Sequence, residues 1–274
     1  MEGIANQQFI DFVPYVTVPL LAATVLGFVL FITKRAEKLR RIEPHEARAV
    51  QQLVAAWALW GLASAGLSLS GAYASDSFYA MLPGLWITFV PVFMFIAFSV
   101  ASPTIRDGIG KVLAATPLHW LVYFQALRLS AIRTAFETAR GTFPQSFELA
   151  VGVPDLLFGL SALYVGKRTS EGSISKRAVG WWSLAGALVI VPSAPLVAQM
   201  GLAGPLQFFT AEPSAAVLFV YPMVLAPTLI VPLFVLFNLL TAQHLLGRER
   251  VTQAERFTST AARLYPRSLS RVVR

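Results

Sequence analysis

Long apolar stretches separated by short polar loops constrain the fold of this chain more than any other feature of its sequence. A helix needs about 20 consecutive apolar residues to cross a bilayer. Only 13% of the residues are charged, about half the fraction that is usual in soluble domains. The sequence therefore predicts an all-α, polytopic transmembrane helical bundle. Six stretches meet the length requirement without further argument: 12–33, 49–73, 79–101, 146–166, 178–200 and 216–241.

The character of these stretches also indicates the kind of membrane. Strands of a membrane barrel would be about 9 to 11 residues of alternating polarity, whereas the stretches here are longer and continuously apolar. The acidic start of the chain, MEGIANQQFID, lacks the basic region of a secretory signal. We therefore interpret the first stretch as a membrane span and expect a multi-pass protein of a bacterial inner (plasma) membrane.

A seventh segment, residues 119–140, has helical propensity and bulky apolar side chains but contains Arg128 and Arg133. Near the centre of a span each arginine costs about 2.5–3.5 kcal/mol, whereas each Leu or Phe contributes only about 0.3–0.6 kcal/mol. Taken alone, the segment is therefore marginal as a span. An amphipathic helix lying on the membrane surface is the alternative interpretation.

The distribution of Lys and Arg favours seven spans over six, because cytoplasmic loops are enriched in these residues. With seven spans and the N-terminus outside, 19 of the 22 basic residues lie on the cytoplasmic side. With six spans the loops after residue 140 change sides, and the basic residues divide into 11 inside and 11 outside. We therefore predict seven spans within residues 1–244, N-terminus out and C-terminus in. A basic cytoplasmic tail, residues 245–274, is expected to contact anionic membrane lipids.

Two charges are expected to meet in the middle of the bundle. Asp155 lies nine residues into the fifth span, in the apolar run VGVPDLLFGL, and Arg128 lies nine residues into the fourth. The turn between these spans, about residues 141–145, is short, so the spans should be antiparallel neighbours. An arginine and a carboxylate at one depth on adjacent helices can form a bidentate pair that offsets the desolvation of both. The sequence therefore predicts an intramembrane pair of Arg128 and Asp155.

Three more polar residues are assigned to the same region. Gln125 lies one turn before Arg128 on the same helix face and is expected to extend its network. Arg133, four residues before Glu137, and Glu148 are expected to form a second layer nearer the outer surface. The alternative for this layer is that its side chains snorkel to the membrane interface. The candidate site for a solute or a proton therefore consists of Gln125, Arg128, Arg133, Glu148 and Asp155.

The hairpin between the fourth and fifth spans also carries a resemblance to known proteins. Its sequence resembles a pattern in uncharacterised multipass bacterial membrane proteins of unknown function, through Arg128, Gly141, Pro144, Phe147, Gly152, Asp155 and Gly159. The resemblance covers about a tenth of the chain. It implies no particular activity.

Prolines indicate irregular backbone in the last two spans. Pro192 and Pro195 lie in the sixth span, and Pro222, Pro227 and Pro232 lie in the seventh. Each removes a backbone donor and is expected to bend or break its helix. The carbonyl groups freed in this way need partners inside the protein or in water.

Residue content excludes or disfavours several familiar chemistries. A retinal protein of the rhodopsin kind needs a Schiff-base lysine in its last span, and the lysines here lie at 34, 38, 111, 167 and 176. The chain has no cysteine, which removes thiolate ligands and thiolate nucleophiles. His45, His119 and His244 form no metal-binding motif, and HExxH and GxSxG are both absent from the sequence. We expect no cofactor, no metal site and no nucleic-acid partner.

An intramembrane enzyme is the least favoured function, because the sequence has no recognisable catalytic set. Two other functions are compatible with this architecture. An ionisable residue inside a membrane usually marks a functional site, which favours binding or transport of a small solute or a proton. Pro154, directly before Asp155, supports this interpretation, because a broken helix exposes backbone polar groups like those that line transporter sites. Alternatively, the ion pair only fixes how two helices pack. In that case the chain is a non-catalytic accessory or assembly subunit with a membrane protein partner.

Reporter fusions test the seven-span topology. Fusions after residues 40, 76, 172, 208 and 260 should report inside, outside, inside, outside and inside, because the loops rich in Lys and Arg stay in the cytoplasm. The first two fusions are controls, since six and seven spans predict the same result there. Reversed locations at the last three positions would contradict a fourth crossing at residues 119–140.

Overall fold

The computed structural model describes the backbone of residues 2–210 and 212–264 and the side chains of residues 12–210 and 212–247. Across these residues the secondary structure is entirely helical, which confirms the predicted all-α class. The α-helices are α1 (Glu2–Lys38), α2 (Pro44–Leu69), α3 (Asp76–Ala80), α4 (Val90–Ala101), α5 (Pro103–Ala115), α6 (Leu118–Phe124), α7 (Ile132–Ala139), α8 (Gln145–Phe147), α9 (Val153–Ser170), α10 (Lys176–Leu188), α11 (Ser193–Met200) and α12 (Val231–Leu264). The 3-10 segments are Ala72–Ala74, Pro83–Leu85, Ile87–Phe89, Gln125–Ala131 and Ala215–Phe219, and the π-helical segments are Glu148–Gly152 and Ala226–Ile230.

Six helical stretches of the described chain are long and apolar enough to cross a membrane. They agree with the six stretches identified from hydropathy, although their ends differ by several residues. Large apolar side chains cover their outer faces, where Leu62 is 71% exposed and Val100 is 80% exposed. Such a surface suits lipid contact, so the chain has the architecture of an integral membrane protein. The stretches are Phe12–Lys38, Pro44–Leu69, Pro83–Ala101, Gln145–Ser170, Lys176–Met200 and Ala226–Gly247.

The segment with two internal arginines is helical but is not one regular helix. It consists of α6, the 3-10 segment Gln125–Ala131 and α7, and it does not meet the length and hydropathy of a span. Its Tyr123 ring packs on Gly166, its backbone at Arg128 lies against Gly159, and Thr134 lies near Glu148. These contacts extend from residue 148 to residue 166 of the neighbouring helix, about 27 Å at 1.5 Å per residue. The segment therefore lies antiparallel along a membrane-crossing helix.

The loops divide the bundle into two ends. The basic end carries residues 39–43, α5 and residues 171–175. The opposite end carries residues 70–75, 140–144, 201–210 and 212–214. At the basic end, α5 is held against α2 by an ion pair between Lys111 and Glu46. Arg35 of α1 donates to the carbonyl oxygen of Ala115 at 3.0 Å. Residues 103–115 are thus anchored at this end of the bundle.

Pro192, Pro222 and Pro227 lie where the last two apolar stretches are interrupted, as predicted, whereas Pro195 and Pro232 lie within the first turns of α11 and α12. Helix α10 ends at Leu188 and α11 begins at Ser193, directly after Pro192. Residues 221–224 form turns, and the π-helical segment Ala226–Ile230, which contains Pro227, precedes α12. The predicted seventh helix therefore becomes regular only from Val231.

The predicted basic tail falls largely outside the described side chains. Helix α12 continues through Leu264, so no helix end marks the expected boundary at residue 245. The side chains of residues 248–274 and the backbone of residues 265–274 lie outside the described residues. The proposed contact of the tail with lipid therefore stays a prediction.

Gly159 marks the closest approach of the 3-10 segment to α9 and can be tested by substitution. A Cβ atom at this position would lie 3.0 Å from the backbone nitrogen of Leu129 and 3.2 Å from the carbonyl carbon of Arg128. Gly159→Val should therefore lower the free energy of unfolding by about 1–3 kcal/mol, because backbone atoms cannot move aside as a flexible side chain can. Unfolding in mixed detergent micelles measures this change.

The matched control for Gly159 is Gly66→Val in α2, where a Cβ atom would meet nothing within 4 Å. Both substitutions place a β-branched residue in a helix, so the helix-propensity change is shared. Equal stability of the two variants would contradict the close packing of the 3-10 segment on α9.

Candidate functional site

Arg128 and Asp155 form the predicted ion pair. Arg128 Nη1 donates to Asp155 Oδ1 at 2.9 Å and to the carbonyl oxygen of Gly186 at 3.0 Å. Arg128 is fully buried and Asp155 is 8% exposed. The pair is joined through one nitrogen and one oxygen, so the expected bidentate arrangement is not made. The same Nη1 group also donates to the carbonyl oxygen of Gly186 on α10, so its hydrogen bonds are divided between two acceptors.

Aromatic rings complete the environment of the Arg128 guanidinium group. Its Cζ atom lies 4.8 Å from the ring centroid of Phe158 on α9 and 5.4 Å from that of Phe234 on α12. A guanidinium group over a ring face is attracted by the ring quadrupole, and the attraction is strongest where water is excluded. Arg128 therefore links the 3-10 segment to α9, α10 and α12.

The 3-10 geometry explains why Gln125 and Arg128 are both buried. A 3-10 helix has three residues per turn, so side chains at i and i+3 lie on one face. Gln125 is 1% exposed and lies on the same face as Arg128. However, its Oε1 atom has no hydrogen-bond partner among the described residues. The expected extension of the network through this oxygen is therefore not formed.

The residues of the expected second layer do not lie together: Arg133 and Glu137 are partly exposed, whereas Glu148 is buried. Arg133 Nη2 lies 3.8 Å from Glu137 Oε1, and Arg140 Nη1 lies 3.9 Å from the same oxygen. These three side chains are partly exposed and lie on α7 and just after it, at the opposite end of the bundle. Snorkelling describes Glu137 and Arg140, whereas Nη1 of Arg133 is buried without a hydrogen-bond partner among the described residues. Glu148 is separate from them.

Glu148 is buried, with 3% of its surface exposed. It begins the π-helical segment Glu148–Gly152, and its carboxylate packs over Gly152, where a side chain would displace it. The hydroxyl of Thr134 is nearby but donates to the carbonyl oxygen of Ala131 at 2.8 Å. Neither carboxylate oxygen of Glu148 has a hydrogen-bond partner among the described residues. Snorkelling is therefore wrong for this residue.

A cavity of about 700 Å³ lies between the ion pair and the opposite end of the bundle. Asp155 lines this cavity, whereas Arg128 lies behind it. The walls are almost wholly apolar and come from α1, α7, α9, α11 and α12 together with both π-helical segments. Non-regular backbone at membrane depth is tolerated where it lines a cavity or is buried in protein. The interrupted helices of this chain meet that condition.

An aromatic layer closes the cavity toward the basic end. Phe124 stacks on Phe28 with ring centroids 4.6 Å apart, and it lies 5.0 Å from the centroid of Phe237. On their helices these rings lie nearer the basic end than the residues that line the cavity. Nearer the opposite end, the cavity separates α1 from α7, and the partly exposed Arg133 and Glu137 lie at its rim. The cavity is thus closed on one side and reaches the surface on the other.

Three further polar residues at this site were not among the predicted site residues. Thr17 on α1 and Thr88 before α4 line the cavity with Asp155, but they are far from it along the chain. Asn238 is 1% exposed and lies against Gly186, next to the carbonyl group that Arg128 binds. A polar residue in an apolar span was a usable signal for Asn238. No comparable signal pointed to Thr17 or Thr88.

Metal-binding geometry is not found among the described side chains. Within residues 12–210 and 212–247, no group of three or more His, Asp or Glu side chains is arranged to hold a metal ion. His119, one of the histidines considered above, packs edge-on against Trp120 and Tyr123. Its ring is therefore part of the aromatic packing on α6.

A double-mutant cycle tests the coupling of Arg128 and Asp155. Arg128→Met and Asp155→Leu should each lower the free energy of unfolding by about 3–5 kcal/mol, because the remaining charge is buried without compensation. The double variant removes both charges and should be more stable than the sum of the single effects predicts, by on the order of 2 kcal/mol. Denaturation of the purified variants in mixed micelles measures all four states.

The exposed pair of Arg106 and Asp107, whose side chains are 65% and 57% exposed, provides the control cycle. Water screens these charges, so substitutions to Met and Leu should show negligible coupling. Additive effects of the Arg128 and Asp155 substitutions, like those at the control pair, would contradict a coupled ion pair.

Comparison of the chain with protein-family models, with curated proteins and with solved structures finds no match in any of the three. Function must therefore be argued from the chemistry of the site, because a helical membrane bundle by itself does not specify an activity. The relevant features are the buried ion pair, the isolated Glu148 carboxylate and the apolar cavity.

Proposed function

We propose that this chain crosses a bacterial inner membrane seven times and binds a small, largely apolar solute in the cavity above Asp155. The observation that carries the proposal is that Asp155 has two kinds of contact. One of its carboxylate oxygens accepts a hydrogen bond from Arg128, and the residue also lines the cavity. A carboxylate fixed in this way presents a polar group to a solute whose remaining surface meets apolar walls. Binding pockets of about 300–1,000 Å³ with few polar groups commonly have this character.

The packing of residues 118–139 supports the fourth crossing. The segment follows the neighbouring span from residue 166 back to residue 148, and Arg128 has an acidic partner at mid-length. The cost of placing an arginine in the membrane is reduced when the side chain faces the bundle interior and is paired. With seven crossings the basic end is cytoplasmic, and the cavity is accessible from the outer side.

Transport of the solute, or of a proton, would require passage through the aromatic layer around Phe124. Helices are already interrupted beside the cavity before α11 and at the π-helical segment Ala226–Ile230. Broken helices that line a central site are a recurrent feature of transporters. We therefore propose movement of these segments as the step that opens the layer.

A second candidate is an accessory subunit in which the ion pair serves only helix packing. The links from Arg128 to α9, α10 and α12 favour this alternative, because they fix the arrangement of four segments without any ligand. An accessory subunit should purify with a stable membrane protein partner, and blocking its cavity should change no binding property. A solute-binding protein should show the opposite behaviour.

A neutral fluorescent probe tests solute binding directly. N-phenyl-1-naphthylamine, added to the purified protein in nanodiscs, should show a saturable fluorescence increase above that of empty nanodiscs. Ala194 lines the cavity, so Ala194→Phe should weaken probe binding by about tenfold or more, because overpacking costs about 1–3 kcal/mol.

The matched control is Ala23→Phe, which adds the same ring to an exposed position on α1. This variant should bind the probe as the parent does. If the folded parent shows no saturable binding, or if both substitutions have the same effect, the proposed solute site is wrong and the accessory function is favoured.

A further inference from the structure

We infer that the solute of this cavity is a lipophilic cation, a molecule with an apolar body and one protonated amine or quaternary onium group. The inference rests on the proposed function, since it names the chemical class of the solute bound there. Its basis is the buried carboxylate of Glu148, which the ion pair of Arg128 and Asp155 does not use.

The charges near the inner part of the cavity are unequal in number. Arg128 is engaged by Asp155 at 2.9 Å. Arg133 and Arg140 both lie beside Glu137, at 3.8 and 3.9 Å. Glu148 makes no ion pair with any described residue. With the rim residues Arg133, Glu137 and Arg140 set aside, the inner region holds two carboxyl groups, Asp155 and Glu148, and one cation, Arg128.

The position of Glu148 places this carboxyl group directly behind the cavity wall. It packs over Gly152, and Gly152 and Thr134 both line the cavity. Glu148 does not line the cavity itself, but its carboxyl group packs against a residue that does. An ionised carboxylate without a partner is costly to bury in a low-dielectric environment. The group is therefore stabilised either by a proton or by a cation that enters the cavity.

The cavity walls suit an organic cation better than an inorganic one. The phenyl rings of five residues line it: Phe89, Phe136, Phe147, Phe219 and Phe234. Ring faces attract ammonium and other onium groups and also pack against an apolar body. The Thr88 hydroxyl oxygen is buried without a hydrogen-bond partner among the described residues and can accept from an N–H group.

The rim arginines do not reverse this selectivity. Arg133 and Arg140 flank Glu137 near the exposed end of α7, where their side chains are 28% and 33% exposed. They line the outer part of the cavity together with Glu137, and Arg133 Nη1 is buried there without a hydrogen-bond partner among the described residues. Glu148 lies near Asp155 at the inner part, so a deeply bound solute lies nearer to the Glu148 carboxyl group than to the rim.

Two ions of matched size and opposite charge test the inference. Tetraphenylphosphonium and tetraphenylborate are added separately to the parent protein in nanodiscs, and their uptake by empty nanodiscs is subtracted. The protein should bind the phosphonium with at least about tenfold higher affinity, which corresponds to about 1.4 kcal/mol. This comparison needs no variant and so does not depend on how a substitution affects folding.

Substitution of Glu148 locates the source of the preference. Glu148→Gln should weaken phosphonium binding by about tenfold more than it weakens binding of N-phenyl-1-naphthylamine. Glu148→Asp retains the charge and should retain the preference for the cation. Glu171→Gln, at an exposed position just after α9, is the matched control and should behave as the parent.

The outcomes separate the two proposals. If the neutral probe binds but the phosphonium is not preferred, or if Glu148→Gln leaves the preference unchanged, the cation inference is wrong and the solute site stands. If neither the neutral probe nor the phosphonium binds saturably to folded protein, the proposed function itself is wrong.

Discussion

The cost of burying a charge in a membrane-spanning bundle organises this structure around Arg128. A guanidinium group that is fully enclosed must exchange water for protein partners, and here these are the Asp155 carboxylate, the carbonyl group of Gly186 and two phenyl rings. The partners come from three different helices. Nε and Nη2 of Arg128 have no hydrogen-bond partner among the described residues, yet the contacts of this one side chain connect four segments.

The hairpin that carries the pair contains the features that make this contact possible. Gly141 has a φ of +73° in the turn, a left-handed conformation that glycine adopts without the steric cost of a side chain. Gly159 allows the backbone of the 3-10 segment to approach α9. Gly152 leaves room for the Glu148 carboxyl group. Each of these three glycines of the hairpin thus has a local structural reason.

The cavity follows from the same irregularities that bring the charges together. Two π-helical segments and the break before α11 leave space beside Asp155 that regular helices would fill. The rings around Phe124 then close this space toward the basic end. The result is an asymmetric site, apolar over most of its wall and acidic at its inner part. This combination is the physical basis for the proposed binding of a lipophilic cation.

The sequence by itself determined the all-helical class, six of the apolar stretches, the helix breaks at the prolines and the pairing of Arg128 with Asp155. The helical class and the apolar stretches depend on hydropathy. The ion pair depends on how deep each charged residue lies in its span, and this depth can be counted in residues along the sequence. It did not determine the environment of Glu148, because a π-helical turn changes which way a side chain points without any signature in the residue types. The sequence correctly placed Gln125 on the same helix face as Arg128. It did not show that Gln125 Oε1 lacks a hydrogen-bond partner among the described residues.

Only the tertiary structure decided where the cavity lies. Its walls combine α1, α7, α11 and α12 with Asp155, and no periodicity along the chain specifies which of these distant segments become neighbours. The number of crossings and the orientation follow from charge asymmetry in the loops and stay predictions. Membrane spans can be predicted from the sequence because the hydropathy of a span depends only on its own residues. A cavity cannot be predicted in this way, because it depends on how closely separate helices pack against one another.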